Sequence, residues 1–368
     1  MKRSHLEHFR PICPWCRSQR DEAYLLVLAQ QIVANEEEVW EGTLHCSNPA
    51  CQKEYPILDG IPILIESTRA FVSENLHFFT MRDDLSETME SILGDCCGPG
   101  SSYDSRRNYV GNYAWDHWGE FDPVERLPKT QPGSIVRLFE ELWHRGQPLL
   151  RETPIHALEI GCSVGRGTWE LAKKTKQPVL GIDLHFGMLQ LAQRLLKTGK
   201  VRYSLRKTGV VYERCEYEVP IQAEAPLLDF WLADALSLPF LDLSLDWITS
   251  INVLDCVQQP YLKLQQMAQR LRPGGLAAFC TPFDWSPNAT PMEGWIGGHS
   301  QRSPSGGRSE AKLREVLSPG QSGNSLGNLQ LVDEEQSFPW KVRVNDRSAV
   351  EYSAYIAWAK RLADPRPS

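Results

Sequence analysis

The sequence predicts an α/β protein in which a parallel sheet carries helices on both faces, preceded by a small cysteine-rich module. From about residue 154, short apolar stretches alternate with segments of helical spacing, as in parallel strands joined by crossover helices. A glycine-rich turn follows the first of these stretches, and four cysteines form two pairs near the N-terminus. The chain of 368 residues is long enough for both parts.

The N-terminal module is predicted from its cysteines and spans residues 1–66. Cys13 and Cys16 form a Cys-x2-Cys pair, and Cys46 and Cys51 form a Cys-x4-Cys pair about thirty residues later. Four thiolates in paired turns are the ligand set of a tetrahedral Zn²⁺ ion. Because such a set leaves no open position, we expect a structural zinc rather than a catalytic one.

The stretch Tyr55–Leu64 follows the second cysteine pair and has a strand–turn–strand pattern with Asp59-Gly60 at the turn. Together with the cysteines, this stretch resembles the Trm112-like zinc-ribbon family. The resemblance implies a zinc ribbon whose role stays open. It could stabilise the N-terminus, recruit a substrate or dock a protein partner.

Residues 67–150 lack the alternation of strands and are predicted to form a helical linker or lid. The part from Tyr103 to Phe121 is rich in aromatic residues. Tyr103 and His117 are candidates to reach a ligand from this lid. For His117, a packing or surface role is the favoured alternative.

A glycine-rich turn, Leu158-Glu159-Ile160-Gly161-Cys162-Ser163-Val164-Gly165, follows a strand and leads into a helix. Glycines at such a place let the backbone turn sharply and approach a ligand closely. Alone, the turn could bind a dinucleotide, a phosphate or nothing. Its glycine order departs from the Gly-x-Gly-x-x-Gly pattern of nucleotide-binding oxidoreductases, which disfavours that class.

Three acidic residues, Glu159, Asp183 and Asp234, stand at the ends of successive predicted strands. Since the carboxyl ends of parallel strands meet at one edge of the sheet, we expect the three to surround one ligand. The carboxylate of Glu159 would repel a pyrophosphate and suits an ammonium group. Asp183 suits ribose hydroxyls, and Asp234 can accept a hydrogen bond from the adenine amino group.

These acids, the glycine turn and the Leu271–Gly275 turn resemble class I S-adenosylmethionine-dependent methyltransferases over about residues 154–295. The resemblance implies a Rossmann-like seven-stranded sheet in a domain of residues 151–368, with S-adenosylmethionine as cofactor. Six further residues of the strand-end loops are then expected to contact the cofactor: Gly161, Cys162, Gly165, Leu184, Ala235 and Asn252.

The segments after the fourth and fifth strands, Asn252–Val257 and Thr281–Trp285, point to the methyl acceptor. With the lead-in Tyr103–Arg107, they resemble the C-terminal domain of ovothiol-synthesising enzymes, which methylates an imidazole nitrogen. Here a cysteine-rich module takes the place of the iron domain of those enzymes. The resemblance therefore implies a small-molecule N or S acceptor, such as a histidine, imidazole or thiol derivative. The candidate catalytic residues are Asp255, Asp284 and Tyr103.

Charge and composition bear on the class of substrate and on the location of the protein. A net charge of −7 gives no bulk attraction to nucleic acid, and no Asn-Pro-Pro-Tyr-type motif follows the fourth strand. No apolar run is long enough to span a bilayer, and the first ten residues lack the apolar core of a signal peptide, so we expect a cytoplasmic protein. Two rival functions stay open: an RNA or protein methyltransferase that reads its substrate with the zinc ribbon, and a binding protein without catalysis.

Overall fold

The computed structural model describes residues 1–82, 84–124, 131–320, 325–326 and 328–363. The elements of the N-terminal module are α1 (Arg3–Phe9), α2 (Pro14–Arg20), β1 (Leu26–Ala34), β2 (Val39–Cys46), β3 (Glu54–Leu58) and β4 (Ile61–Leu64). The next segment is helical, as predicted, and contains α3 (Thr68–Glu74), α4 (Leu76–Thr80), α5 (Glu87–Cys97), α6 (Ser102–Trp118) and α7 (Ser134–Gly146).

The rest of the chain alternates strands and helices, as its periodicity predicts. Its elements are β5 (Ala157–Ile160), α8 (Arg166–Thr175), β6 (Val179–Asp183), α9 (Phe186–Thr198), β7 (Lys200–Thr208), β8 (Val211–Glu218), β9 (Leu228–Ala233), β10 (Leu245–Ile251), α10 (Pro260–Arg270), β11 (Leu271–Thr281), α11 (Ser309–Val316), β12 (Leu329–Asn345) and β13 (Ser348–Arg361).

The predicted seven-stranded Rossmann-like sheet is confirmed. Its strand order is β9-β6-β5-β10-β11-β13-β12, with the first five strands parallel and β13 antiparallel to β11. Because parallel strands end at the same edge, the loops after β5, β6, β9 and β10 meet above it.

The N-terminal module continues this sheet. Strand β4 pairs in parallel with β9, with Ile63 opposite Leu232, so eleven of the thirteen described strands form one sheet that starts at β1. Phe9 of α1 also packs edge-on against Trp231, with ring centroids 6.2 Å apart. The module therefore shares backbone pairing and apolar core with the larger sheet.

Helices cover both faces of the sheet because the buried strands alternate their side chains between two apolar cores. Val179 faces the core with α6, α7, α8 and α9, whereas Leu180 faces the core with α1, α10 and α11. No helix within the described ranges combines the length and the apolar composition needed to cross a lipid bilayer.

The insert at about residues 197–226 has strand-like alternation, which predicts an extra hairpin. It forms β7 and β8, which pair with each other and pack against α6.

Glycine and serine dominate residues 297–327, which predicts a loop, but this segment contains α11, whose Leu313 and Val316 are buried. Residues 321–324 and 327 lie outside the described residues. The tail, residues 329–362, is expected to supply closing strands and a final helix. The strands are present as β12 and β13, but the helix expectation is wrong, because Trp358 and its neighbours in β13 are buried beside β11.

Candidate functional site

A cavity of about 380 Å³ lies at the carboxyl ends of β5, β6, β9 and β10. Its floor is formed by the loops after these strands and by the start of α9. Its roof comes from α3, α4 and α6. The floor residues that line it include Gly161, Ser163, Asp183, Leu184, His185, Ala235, Asn252 and Cys256, and the roof residues are Phe71, Asn75, Phe78, Phe79, Tyr109 and Tyr113.

The glycine turn fixes the shape of the floor. Gly161 has a φ of 75°, and a Cβ added there would lie 2.3 Å from Cγ2 of Val253 in the loop after β10. Its N–H donates to the carbonyl of Ile182 at 2.8 Å. A residue without a side chain is therefore required for the loops after β5 and β10 to approach each other under the cavity.

Asp183 ends β6 and lines the cavity. Its two carboxylate oxygens accept backbone N–H groups, one from His185 at 2.8 Å and one from Ser163 at 2.9 Å. Burial raises the pKa of this carboxyl, and the backbone donors oppose that shift. The carboxylate is thus held in place by the chain and retains lone pairs for a ligand hydroxyl. Leu184 lies beside it at the cavity surface.

Glu159 lies beneath the glycine turn rather than in the cavity wall. Its Oε2 accepts the hydroxyl of Thr168 at 2.5 Å, and burial raises its pKa to about 8. At pH 7 the group is therefore largely neutral, which suits it to holding α8 against β5. Contact between Glu159 and a cofactor ammonium group stays a prediction.

The other predicted cofactor contacts divide between the cavity and its surroundings. Ala235 lines the cavity, whereas Asp234 turns its Oδ1 to the N–H of Leu236 at 2.8 Å. Cys162 is buried within the floor, and Gly165 begins α8 behind it. Asp234 does not line the cavity, and the partial burial of its carboxyl raises its pKa.

Asn252 follows β10 and lines the cavity with a φ of 52°. Its buried Oδ1 has no hydrogen-bond partner among the described residues. A buried carbonyl oxygen without a donor is costly, by about 1–3 kcal/mol. The site therefore fits a ligand that brings a donor to this oxygen, and an ammonium group is one such donor.

The structure does not bring the three candidate catalytic residues to this cavity. Asp255 is buried, and its Oδ2 accepts the N–H of Asp284 at 2.7 Å. Asp284 is itself exposed and accepts the hydroxyl of Tyr352 at 3.1 Å. Tyr103 lines a separate, smaller cavity, because the first turns of α6 pack against α5 and the β7–β8 hairpin. Sequence order alone could not show which face of α6 each residue occupies.

The roof contains residues that the sequence did not single out. The rings of Phe79 and Phe186 pack at a tilt with centroids 4.6 Å apart, and the rings of Phe78 and His185 lie 5.3 Å apart. Tyr109 and Tyr113 lie one turn apart on α6, with ring centroids 5.0 Å apart. Their i, i+4 spacing in the aromatic stretch was the signal that could have identified them.

His117, the other lid candidate, is buried away from the cavity. Its Nδ1 accepts the backbone N–H of Arg166 at 3.3 Å. Burial, with a smaller contribution from the Arg166 charge, lowers its pKa to about 3. His117 therefore has a packing role and does not reach a ligand in the cavity.

The four cysteines of the module form one cluster, as predicted. All four Sγ atoms lie within 4.8 Å of one another, with Cys13 to Cys51 at 3.9 Å and Cys16 to Cys46 at 3.7 Å. Tetrahedral zinc with Zn–S bonds of about 2.3 Å requires sulfur pairs at nearly this separation. The donor set and its geometry therefore fit a zinc ion.

Comparisons with known proteins give a family match and a curated relative. Residues 158–279 match a family described as "Methyltransferase domain". A curated relative, the methyltransferase GfsG of Streptomyces halstedii, is 28% identical over 174 residues, which is 47% of this chain and 51% of GfsG. The chain thus spans about half the length of that relative.

Solved structures with a similar course of the chain include an S-adenosylmethionine-dependent methyltransferase of Methanosarcina mazei. It is 18% identical, with a TM-score of 0.38, over 60% of this chain and 98% of the other. Another solved structure is 15% identical. It is described as showing the conversion of a disulfide bond into a thioacetal group during echinomycin biosynthesis. Its TM-score is 0.41 over 70% of this chain and 94% of the other.

Proposed function

We propose that this chain, whose residues 158–279 match a methyltransferase family, uses S-adenosylmethionine to transfer a methyl group to a nitrogen or sulfur atom of a small molecule. One observation carries the proposal. Gly161, Asp183 and Asn252 line one cavity at the carboxyl edge of the sheet, and aromatic side chains roof it.

The cofactor is assigned to the floor. Asp183 has lone pairs free for ribose hydroxyls, and the unpaired Oδ1 of Asn252 suits the ammonium of the methionine part. Tyr109 and Tyr113 of the roof offer aromatic faces, which attract a sulfonium cation. S-adenosylmethionine supplies the activated methyl group when bound there.

The chemistry follows from what lines the cavity. Asp183 is the one carboxylate among the described lining residues, and it lies on the cofactor side. Nδ1 of His185 accepts the N–H of Met188 at 3.2 Å, so the neutral ring has its proton on Nε2 and offers no free lone pair as a base. The acceptor must therefore present a lone pair that is unprotonated at neutral pH, as an imidazole or a thioether sulfur does, or lose its proton to water first, as an amine or a thiol must. That lone pair bonds to the methyl carbon while the carbon–sulfonium bond breaks, and the protein contributes alignment and exclusion of water.

A small acceptor is favoured over RNA by the charge of the N-terminal module. Residues 1–66 contain six Lys and Arg against ten Asp and Glu, which gives this surface an acidic balance. Phosphate backbones are bound by basic surfaces.

For the module we propose a structural zinc held by Cys13, Cys16, Cys46 and Cys51. Metal analysis of the purified chain should give one zinc per molecule. Cys46→Ser should lose the zinc and lower the melting temperature, because β2 and the start of α2 are then no longer linked. Cys96→Ser, at an exposed cysteine on α5, should change neither quantity.

The catalytic proposal is tested in two steps. Calorimetry should show S-adenosylmethionine binding to the full chain with one site. A panel of imidazoles, amines and thiols is then assayed for release of S-adenosylhomocysteine. Binding without release from any member would favour the binding-protein alternative, and absence of binding would overturn the assignment of the cavity.

A further inference from the structure

Four aromatic rings form a continuous row over the cofactor cavity. They belong to Phe78 of α4, to His185 just before α9, and to Tyr109 and Tyr113 of α6. From Phe78 through His185 and Tyr109 to Tyr113, the centroids of successive rings lie 5.3, 5.5 and 5.0 Å apart. Aromatic rings contact each other at such separations. These four rings are called the aromatic row below.

The aromatic row runs from the mouth of the cavity to the cofactor site. Tyr109 is 49% exposed although it lines the cavity, and Cys256, in the loop after β10, is also exposed and lines it. Tyr113 lies deeper: burial, and then its neighbours Tyr109, Cys256 and Asp183, raise the pKa of its hydroxyl well above the usual value. A methyl acceptor that reaches the cofactor from the solvent therefore lies against this row.

The cavity wall around the row carries no positive charge. None of the described lining residues is a lysine or an arginine, and Asp183 is the one carboxylate among them. Burial, with a smaller contribution from the charge of Arg106, lowers the pKa of His185 to about 4. Burial raises the pKa of the Cys256 thiol to about 11. Both groups are therefore uncharged at pH 7.

This combination of flat rings and missing cations discriminates between acceptors. A carboxylate or phosphate group that enters the cavity loses its hydration, finds no opposite charge among the described lining residues and is repelled by Asp183. An aliphatic amine is protonated at pH 7 and has no lone pair to give until the proton leaves. A neutral aromatic ring keeps its lone pair and gains contact between its flat face and the row.

We propose that the methyl acceptor is an uncharged planar ring that stacks on Tyr109 and Tyr113 and carries no carboxylate or phosphate group. The inference rests on the proposed function and narrows its substrate class. Free histidine, which carries a carboxylate, is then a poorer acceptor than a bare imidazole ring.

The reaction of such a ring balances without a base in the cavity. The lone pair of a ring nitrogen, or of a sulfur attached to the ring, bonds to the methyl carbon. The carbon–sulfonium bond breaks, and its electron pair stays on the cofactor sulfur. The positive charge passes to the acceptor ring, where the aromatic faces of the row stabilise it. An N–H or S–H proton of the methylated ring then leaves to water at the mouth.

Calorimetry on the full chain saturated with S-adenosylhomocysteine tests the inference at pH 7 with three probes. Benzimidazole is the neutral ring, benzimidazole carboxylate adds an anion, and hexylamine is a cation without a ring. Benzimidazole should bind about tenfold more tightly than either of the others. Equal or tighter binding of the carboxylate or the amine, or no binding of benzimidazole, would overturn the inference.

Substitutions of Tyr109 test the stacking contact. Tyr109→Leu removes a ring and should weaken benzimidazole binding about fivefold, whereas Tyr109→Phe keeps the ring and should retain most of the affinity. Tyr261→Leu, at a tyrosine of α10 that is 39% exposed and outside the cavity lining, is the matched control. Equal affinities in Tyr109→Leu and Tyr261→Leu would contradict the stacking contact.

Substitutions of Cys256 test the selection against anions. Cys256→Lys places a cation at the mouth and should raise the affinity for benzimidazole carboxylate about tenfold. Cys256→Ser adds no charge and should keep the wild-type order of the probes. An unchanged affinity for the carboxylate in Cys256→Lys would show that missing cations do not set the preference.

Binding of S-adenosylmethionine and release of S-adenosylhomocysteine are measured on the same samples. Methylation of the carboxylate or the amine in preference to benzimidazole would overturn this inference and leave the proposed function standing. Absence of S-adenosylmethionine binding would overturn both.

Discussion

The floor and the roof of the cofactor cavity are built in different ways. The floor is held by backbone geometry: Asp183 accepts two backbone N–H groups, and Gly161 allows two loops to approach within side-chain distance. The roof is held by packing of aromatic rings, such as Phe79 on Phe186 and Phe78 on His185. A floor of this kind has one functional geometry, whereas a packed roof tolerates change by degrees. Substitutions in the floor should therefore weaken cofactor binding strongly, and substitutions in the roof should mainly change the rate at which the cofactor dissociates.

The largest effect is expected for Gly161→Ala. The new Cβ meets Val253, and a φ of 75° strains any residue with a side chain, so S-adenosylmethionine affinity should fall about 100-fold. Gly209→Ala is the matched control, because it also has a positive φ but no atom within 4 Å of the new Cβ. Calorimetry on both variants measures the difference, and equal affinities would remove the geometric distinction of the floor.

Asp183→Ala should come next, with a loss of about 30-fold in S-adenosylmethionine affinity. The variant removes the ribose acceptor and also frees the N–H groups of Ser163 and His185, each of which then needs water. Asp84→Ala, at a carboxylate that is exposed and paired with Arg82, serves as the control. Wild-type affinity in the Asp183 variant would contradict the placement of the ribose.

The pH dependence of the free energy of unfolding gives a third comparison. It concerns His117, which joins the roof helix α6 to the start of α8 away from the cavity. Burial lowers its pKa to about 3, so the unfolded chain binds the proton more readily below pH 6.5. Its contribution to stability is therefore complete above pH 6.5 and is lost as the pH falls. Between pH 7 and pH 5 the loss is about 2 kcal/mol.

His117→Asn keeps an acceptor for the N–H of Arg166. Between pH 7 and pH 5, its free energy of unfolding in urea should fall by about 2 kcal/mol less than that of the wild type. His144→Asn, at an exposed histidine of α7, should follow the wild-type curve. Parallel curves for the wild type and His117→Asn would show that this histidine is not held neutral.

The smallest effect is expected in the roof. Phe78→Ala removes part of the cover over the cavity and should speed dissociation of S-adenosylhomocysteine about fivefold, with little change in association. Leu76→Ala alters the same helix at a residue that is 54% exposed and outside the cavity lining. Stopped-flow dissociation rates compare the two. If Phe78→Ala lost as much S-adenosylmethionine affinity as Asp183→Ala, the roof would also be a fixed part of the site.

The sequence predicted the floor better than the roof, for a physical reason. Gly161 and Asp183 belong to a local pattern of strand, turn and helix, and such a pattern fixes where their backbone goes. The faces of α6 are decided by packing against the distant β7–β8 hairpin, so Tyr103 was placed at the acceptor while Tyr109 and Tyr113 line the cavity. For Glu159, the strand-end position was right, but its hydrogen-bond partner Thr168, in the first turn of α8, could not be inferred from spacing.

The same distinction applies to the fold. The parallel strands and crossover helices follow from the alternating pattern, whereas the pairing of Ile63 with Leu232 joins segments that are far apart in the chain. The N-terminal module was therefore expected as an attached ribbon and is instead the continuation of the central sheet. The final helix was wrongly expected because the apolar alternation of β13, buried beside β11, was not recognised.

A crystal structure of the chain with S-adenosylhomocysteine tests the central assignment most directly. We expect the nucleoside over the glycine turn, with its ribose hydroxyls within hydrogen-bond distance of Asp183 and its amino group near Oδ1 of Asn252. A ligand bound elsewhere, or a ribose that makes no contact with Asp183, would contradict the account.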